Sequence, residues 1–272
     1  ETLILVHIVA IGWLSLLMCG ALFQFVPVLV AQPLHDNMLP APTLVALVIG
    51  LAMLILGFLQ LAGRIDPGTP FFAVAGTLLG LGFALVLWNL SRTLWAAQTR
   101  SLPARFVIIG LASVAATATL GIIFALVLGG ATTFGPFVAL TATGLPLHVI
   151  AGLGGWLTFT AMGVSYRLLA MFMLAPELER TSTKAAAYLG AAALALAILG
   201  GVLAIMLEAS LTFVLLAAGS LGLLALVLYG ADVVHLYRAR KRPHLELNSR
   251  MAAFAMVSLA AAVVLILALL AL

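Results

Sequence analysis

The stretch LHVIAGLGGWLTFTAMGVSYRLLAMF, residues 147–172, decides the fold class of this chain. It carries a single charged side chain, Arg167, over a length that exceeds the roughly 20 apolar residues that a helix needs to cross a bilayer. It also lacks the strict alternation of polar and apolar residues that is typical of strands in membrane barrels. Because backbone groups in lipid must be hydrogen-bonded within the segment, the stretch predicts a membrane-spanning α-helix.

The composition extends this prediction to the whole chain. Of the 272 residues, 65% are hydrophobic and only 7% are charged, whereas a soluble domain carries about 25% charged residues. The sequence therefore predicts an all-α integral membrane protein. Hydropathy and turn signals place eight transmembrane helices, which we number spans 1 to 8. The predicted spans are 3–31, 42–62, 70–98, 104–130, 144–175, 184–207, 211–238 and 249–272.

The distribution of basic residues predicts the orientation. Eleven of the twelve Lys and Arg residues surround the loops that follow spans 3, 5 and 7, whereas only Arg64 falls in the loop after span 2. The positive-inside rule then places both termini outside the cytoplasm, in a multi-pass protein of the bacterial inner membrane. Topology thus accounts for the basic pI near 9.7 without a nucleic-acid partner, and the expected surroundings are membrane lipids. The single cysteine, Cys19, excludes an intramolecular disulfide and a thiolate metal cluster.

An internal repeat divides the chain. Residues 12–29, GWLSLLMCGALFQFVPVL, and residues 155–172, GWLTFTAMGVSYRLLAMF, share Gly-Trp-Leu and a second glycine eight positions later. The pattern predicts two tandem four-helix repeats, residues 1–133 and 134–272, in one membrane domain. Since four is an even number of spans, both repeats have the same orientation. Chance similarity between apolar helices is the alternative.

Two of the five histidines differ from the rest in predicted depth. His7 and His148 lie near the starts of spans 1 and 5, a few residues into the membrane, where an ionisable residue is typical of a functional site. His35 and His244 fall in loops. His235 follows Asp232 by three residues, which predicts a local hydrogen-bonded pair on one helix face.

The residues around the two histidines predict a cofactor site. Glycines on the His148 face either permit close helix packing or make room for a planar macrocycle. A neutral imidazole is a common axial ligand of haem iron, so we predict haem binding. The predicted metal ligands are His7 and His148, and the predicted cofactor-binding residues also include Met18, Gly152, Gly155 and Phe159. In the repeat alignment His7 pairs with Ile150, so the histidines are not symmetry mates, and whether they share one iron stays open.

The stretches HIVAIGWLSLLMCGALFQFVPVL and LHVIAGLGGWLTFTAMGVSYRLLAMF resemble helices of subunit I in the superfamily of haem-copper oxidases and nitric oxide reductases. The likeness rests on a histidine, then Gly-Trp, a glycine and Tyr-Arg, and it is greatest to short relatives described as oxidase subunit I-like. In that superfamily two histidines on repeat-equivalent helices hold a low-spin haem. The resemblance implies haem b, with His148 as one axial ligand and His7 as the second.

The chain departs from that superfamily in the residues of the oxygen-reducing centre. It has no adjacent histidine pair and no further membrane histidine for copper, so we expect no copper and not a full haem-copper oxidase. The expected function is electron transfer or binding of NO or O2 near the outer face, and enzymatic activity is left open. The alternatives are a haem-free structural subunit of a respiratory complex and a small transporter. Expected partners are a second copy of the chain or other respiratory-chain proteins.

Overall fold

The computed structural model describes residues 1–66, 68–98, 101–178 and 180–270. Eight of its helices are long and apolar enough to span a membrane, which confirms the prediction of an all-α integral membrane protein. The predicted first and last residues of spans 1 to 7, and the predicted first residue of span 8, lie within three residues of the observed ones. The spans are Thr2–Val30, Pro40–Leu61, Phe71–Ala96, Leu102–Leu128, Leu145–Met173, Thr181–Met206, Leu211–Arg238 and Leu247–Leu270.

A ninth helix, Gly135–Thr143, precedes span 5 and was not predicted from the sequence. Its short apolar stretch follows a run of turn residues, and Pro136 occupies its first turn, where proline is well tolerated. Leu140 anchors it in a small cluster with Leu120 and Leu147. This helix therefore covers the end of span 5 beside His148.

The two halves share backbone features. Spans 1 and 5 both contain a π-helical segment, at Ile8–Ser15 and Ile150–Phe159. Both spans are followed by a residue in the left-handed conformation, Ala31 and Leu174, which are 143 residues apart. The offset between the two Gly-Trp-Leu motifs is the same. The tandem repeat stays a prediction from sequence, and these features support it.

Span 4 joins the two halves by packing against both span 3 and span 5. Glycines make this close approach possible. A Cβ atom added at Gly155 of span 5 would overlap the Ser113 side chain, and one added at Gly110 of span 4 would overlap Thr160. Small residues at such contacts let helix backbones approach closely in a membrane.

Each half has its own core, and span 5 contributes to both. In the second half, Phe106 of span 4 packs with Phe159 and Tyr166 of span 5 and with residues of span 7. In the first half, spans 1 to 4 surround the indole of Trp156, which is 2% exposed. Span 5 is thus the central helix that fixes the first half against the second.

Candidate functional site

The structure brings His7 and His148 together. Their ring centroids lie 6.5 Å apart, with the ring planes inclined by 32°. Both residues are partly buried at the end of the bundle where span 1 begins. Two histidines that are distant in sequence thus form one pair between spans 1 and 5.

Each histidine lies directly before the π-helical segment of its span. His7 precedes Ile8–Ser15, and His148 is separated from Ile150–Phe159 by one residue. A π-helix bonds residue i to i+5 and therefore has more residues per turn than an α-helix. The α-helical spacing that would put Gly152 and Gly155 on one face with His148 therefore does not hold across this segment. π-Helical turns occur frequently at functional sites.

The ring of His7 is oriented by its own helix. Its Nδ1–H donates a hydrogen bond to the carbonyl oxygen of Leu3, at 2.7 Å. In this tautomer the Nε2 atom carries the free lone pair. Metal-binding histidines almost always donate their other ring N–H in this way, since the bond fixes both tautomer and ring orientation. Phe58 of span 2 packs beside the ring, with centroids 5.3 Å apart.

The ring of His148 lies against span 4. Its Nδ1 atom is buried and has no hydrogen-bond partner among the described residues. The ring of Phe124 lies 5.5 Å away between centroids. A Cβ atom added at Gly121 would lie 3.2 Å from His148 Cε1, so the glycine leaves space for the imidazole. The sequence reasoning missed Gly121, because span 4 carries no motif that links it to a histidine on another helix.

A buried hydrogen bond connects the two histidine-bearing helices. Trp156 Nε1–H donates to Ser15 Oγ at 3.0 Å. Ser15 follows His7 by eight residues, and Trp156 follows His148 by eight. The bond therefore fixes spans 1 and 5 at matching depths below the histidine pair.

The other four predicted site residues lie elsewhere. Gly152 and Gly155 face span 4, where added Cβ atoms would meet Thr117 and Ser113, so both glycines serve helix packing. Phe159 stacks on Phe106 in the core of the second half, and Met18 is partly buried at the core of the first half. Each of these two lies eleven residues past its histidine, which is about 16 Å along an α-helix.

A second polar cluster lies at the opposite end of the second half. The buried carboxylate of Asp232 accepts hydrogen bonds from Tyr166 Oη at 3.1 Å and from Ser182 Oγ at 2.7 Å. The predicted hydrogen bond between Asp232 and His235 is not formed. Asp232 instead ties span 7 to spans 5 and 6, because its side chain points into the bundle.

The described part of the chain contains no group of three or more His, Cys, Asp or Glu side chains placed to hold a metal ion. A metal ion bound by His7 and His148 would therefore take its remaining ligands from something other than these four residue types in the described part of the chain. Comparisons with protein families, with characterised proteins and with solved structures find no match for this chain.

Proposed function

We propose that this protein is a membrane-embedded haem b protein in which His7 and His148 are the two axial ligands of one iron. It acts in electron transfer, as the resemblance to oxidase subunit I implies. The observation that carries the proposal is the 6.5 Å separation of the two imidazole centroids.

This separation fits two ligands on opposite sides of one metal ion. An imidazole nitrogen lies about 2 Å from a first-row metal ion that it binds, and the ring centroid lies about 1 Å behind that nitrogen. Two axial imidazoles therefore have centroids about 6 Å apart, close to the separation of His7 and His148. His7 and His148 would supply two of the six ligands of such an iron, and a porphyrin would supply the other four.

The hydrogen bond of the His7 ring supports the same assignment. The bond from His7 Nδ1 to Leu3 holds that imidazole in the neutral tautomer with Nε2 available as a ligand atom. The His148 ring lies beside Gly121 and Phe124 of span 4, so its orientation is set by packing against that helix. When bound, haem supplies one-electron iron chemistry.

Ligation by both histidines favours electron transfer over gas binding. If His7 and His148 both held the iron, it would have no open ligand position for NO or O2. Binding of a diatomic gas near this site would require one of the two imidazoles to move away.

The charge distribution supports a location of this site near the outer face of a bacterial inner membrane. Both histidines lie at the end of the bundle where span 1 begins, and eleven of the twelve basic residues belong to the opposite end. By the positive-inside rule the basic end is cytoplasmic. The proposed electron partner therefore approaches from the outer side.

A haem-free structural subunit is the second candidate. The packing of Gly152 and Gly155 against span 4 favours it, since these glycines are fully explained as helix contacts. This candidate predicts a colourless protein whose histidine pair contributes to packing alone.

The visible spectrum of the detergent-purified protein, oxidised and then reduced with dithionite, tests the proposal. We expect a sharp reduced α band, about one haem per chain by pyridine haemochrome, and no spectral change with carbon monoxide. His148→Ala and His7→Ala should each abolish the six-coordinate spectrum, whereas His244→Ala, in an exposed loop, should leave it unchanged. A folded protein that stays colourless after haem supplementation would favour the structural subunit.

A further inference from the structure

The two halves of the molecule differ in how much of their equivalent helices is buried. In the most apolar stretch of span 5, 44% of the residues are buried, against 11% for span 1. In the most apolar stretch of span 4, 28% of the residues are buried, against 0% for the equivalent span 8. Spans 4 and 5 form the most extensive contact between the halves, whereas the equivalent spans 8 and 1 do not pack against each other in the described part of the chain.

The tryptophans of the two Gly-Trp-Leu motifs show the same difference. Trp156 is buried and donates its indole N–H to Ser15, whereas Trp13 is 67% exposed and makes no hydrogen bond to the described residues. Trp13 lies near the middle of span 1, far from the interfacial belts where tryptophan usually sits. An indole N–H in hydrocarbon without an acceptor is costly, so this position requires a partner.

The second half contains an open groove of about 510 Å³ lined by spans 5 to 8. Part of its lining corresponds, by the repeat, to the core of the first half that contains Trp156. Three residues of the core cluster that contains Trp156, together with Ser15, which accepts its hydrogen bond, have a groove-lining counterpart at the offset of 143 residues. These pairs are Ser15 and Thr158, Cys19 and Met162, Leu47 and Gly190, and Phe83 and Leu226.

We infer that this groove receives Trp13 of a second copy of the chain. The contact between the halves is then repeated between molecules, with Thr158 Oγ1 accepting the indole N–H as Ser15 Oγ accepts that of Trp156. The hydroxyl group is preserved at this position, since the motifs read Gly-Trp-Leu-Ser and Gly-Trp-Leu-Thr. Span 8 takes the place of span 4 at the new contact.

The smallest assembly in which every Trp13 is buried and every groove is filled is a twofold homodimer. Each molecule inserts its own Trp13 into the partner and receives the partner's, so a closed ring of four half-molecules forms. The two repeats have the same predicted orientation, so the ring lies in the plane of the membrane. This inference rests on the packing of the halves and does not depend on haem.

Photo-cross-linking in native membranes tests the contact directly. The variant Trp13→p-benzoylphenylalanine keeps an aromatic group of similar size at the position. We expect a dimer on denaturing gels, with the adduct mapped to groove residues such as Thr158 and Leu226. The same amino acid at Val227, which is 60% exposed on span 7 and outside the groove, should give monomer. Monomer alone from both positions would overturn the inference.

The mass of the protein in lipid nanodiscs provides an independent measurement. We expect wild type and Trp95→Leu, which alters an exposed tryptophan on span 3, to have the mass of two chains, whereas Trp13→Leu should have the mass of one. Wild type with the mass of one chain, or of three or more chains, would contradict the twofold ring. So would a Trp13→Leu variant that stays dimeric. Haem content is measured separately, so a failure of the haem proposal is distinguishable from a failure of this one.

Discussion

At the residue scale, Trp156 links the histidine pair to the rest of the molecule. Its indole fills the core of the first half, and its N–H bonds to Ser15 on the neighbouring histidine-bearing helix. A displacement of either span would therefore break this bond and move one imidazole relative to the other. The bond stabilises the fold and positions His7 and His148 together.

Trp156→Phe should lower the free energy of unfolding by removing the donor and leaving Ser15 Oγ without its partner. A double-mutant cycle with Ser15→Ala should give a coupling energy of about 1 kcal/mol, typical of a hydrogen bond between membrane helices. The measurement is unfolding by SDS titration in mixed micelles. Trp95→Phe is the control, since Trp95 is 76% exposed. Additive effects of the two changes would show that the bond contributes nothing.

Gly121→Leu should displace the His148 imidazole, because a Cβ atom at this position already comes within 3.2 Å of Cε1. Under the haem proposal we expect the ratio of haem to protein to fall several-fold while the helical content is unchanged. Gly20→Leu is the matched control, since no other atom lies within 4 Å of a Cβ at Gly20. Equal haem content in the two variants would argue against an axial role for His148.

The individual site residues were predictable to different degrees. His7 and His148 stood out from sequence, because ionisable residues are rare at membrane depth. Gly121 and the Ser15–Trp156 bond depend on which helices are neighbours, and that information is tertiary. The Gly152 and Gly155 face was drawn with α-helical spacing, which fails across a π-helical segment.

At the element scale, the contact between spans 4 and 5 determines how the two halves meet. Glycines alternate with small hydroxyl residues along it, so Gly110 faces Thr160 and Gly155 faces Ser113. The spans themselves were predictable, because length and hydropathy define them. The short helix Gly135–Thr143 was not, since its stability comes from packing of Leu140 rather than from a long apolar stretch.

Gly155→Ala should force spans 4 and 5 apart, because its Cβ would overlap the Ser113 Cβ and Oγ atoms. Overpacking of this kind costs about 1–3 kcal/mol, so we expect a clear fall in the thermal unfolding midpoint. Gly230→Ala, where an added Cβ meets no other atom within 4 Å, should leave the midpoint unchanged or raise it slightly. The contact would be less tight than described if both variants unfolded at the wild-type temperature.

At the scale of the whole molecule, the even number of spans in the described residues places the start of span 1 and the end of span 8 at one end with the histidine pair. The loops after spans 1, 3, 5 and 7 form the other end, where most of the basic residues lie. An electron partner on the outer side meets the proposed haem site without crossing the bilayer only if the basic end is cytoplasmic. The side from which an electron partner can reach the proposed site therefore depends on the orientation of the protein in the membrane.

Labelling of single cysteines by a membrane-impermeant maleimide measures this orientation. In a Cys19→Ala background, Thr69→Cys lies in the loop after span 2, and His244→Cys lies in the loop after span 7. We expect Thr69→Cys to react in intact spheroplasts and His244→Cys to react only after permeabilisation, because the Lys and Arg residues near His244 keep that loop in the cytoplasm. The reverse pattern would place the histidine pair near the cytoplasmic face. An electron partner would then have to come from that side.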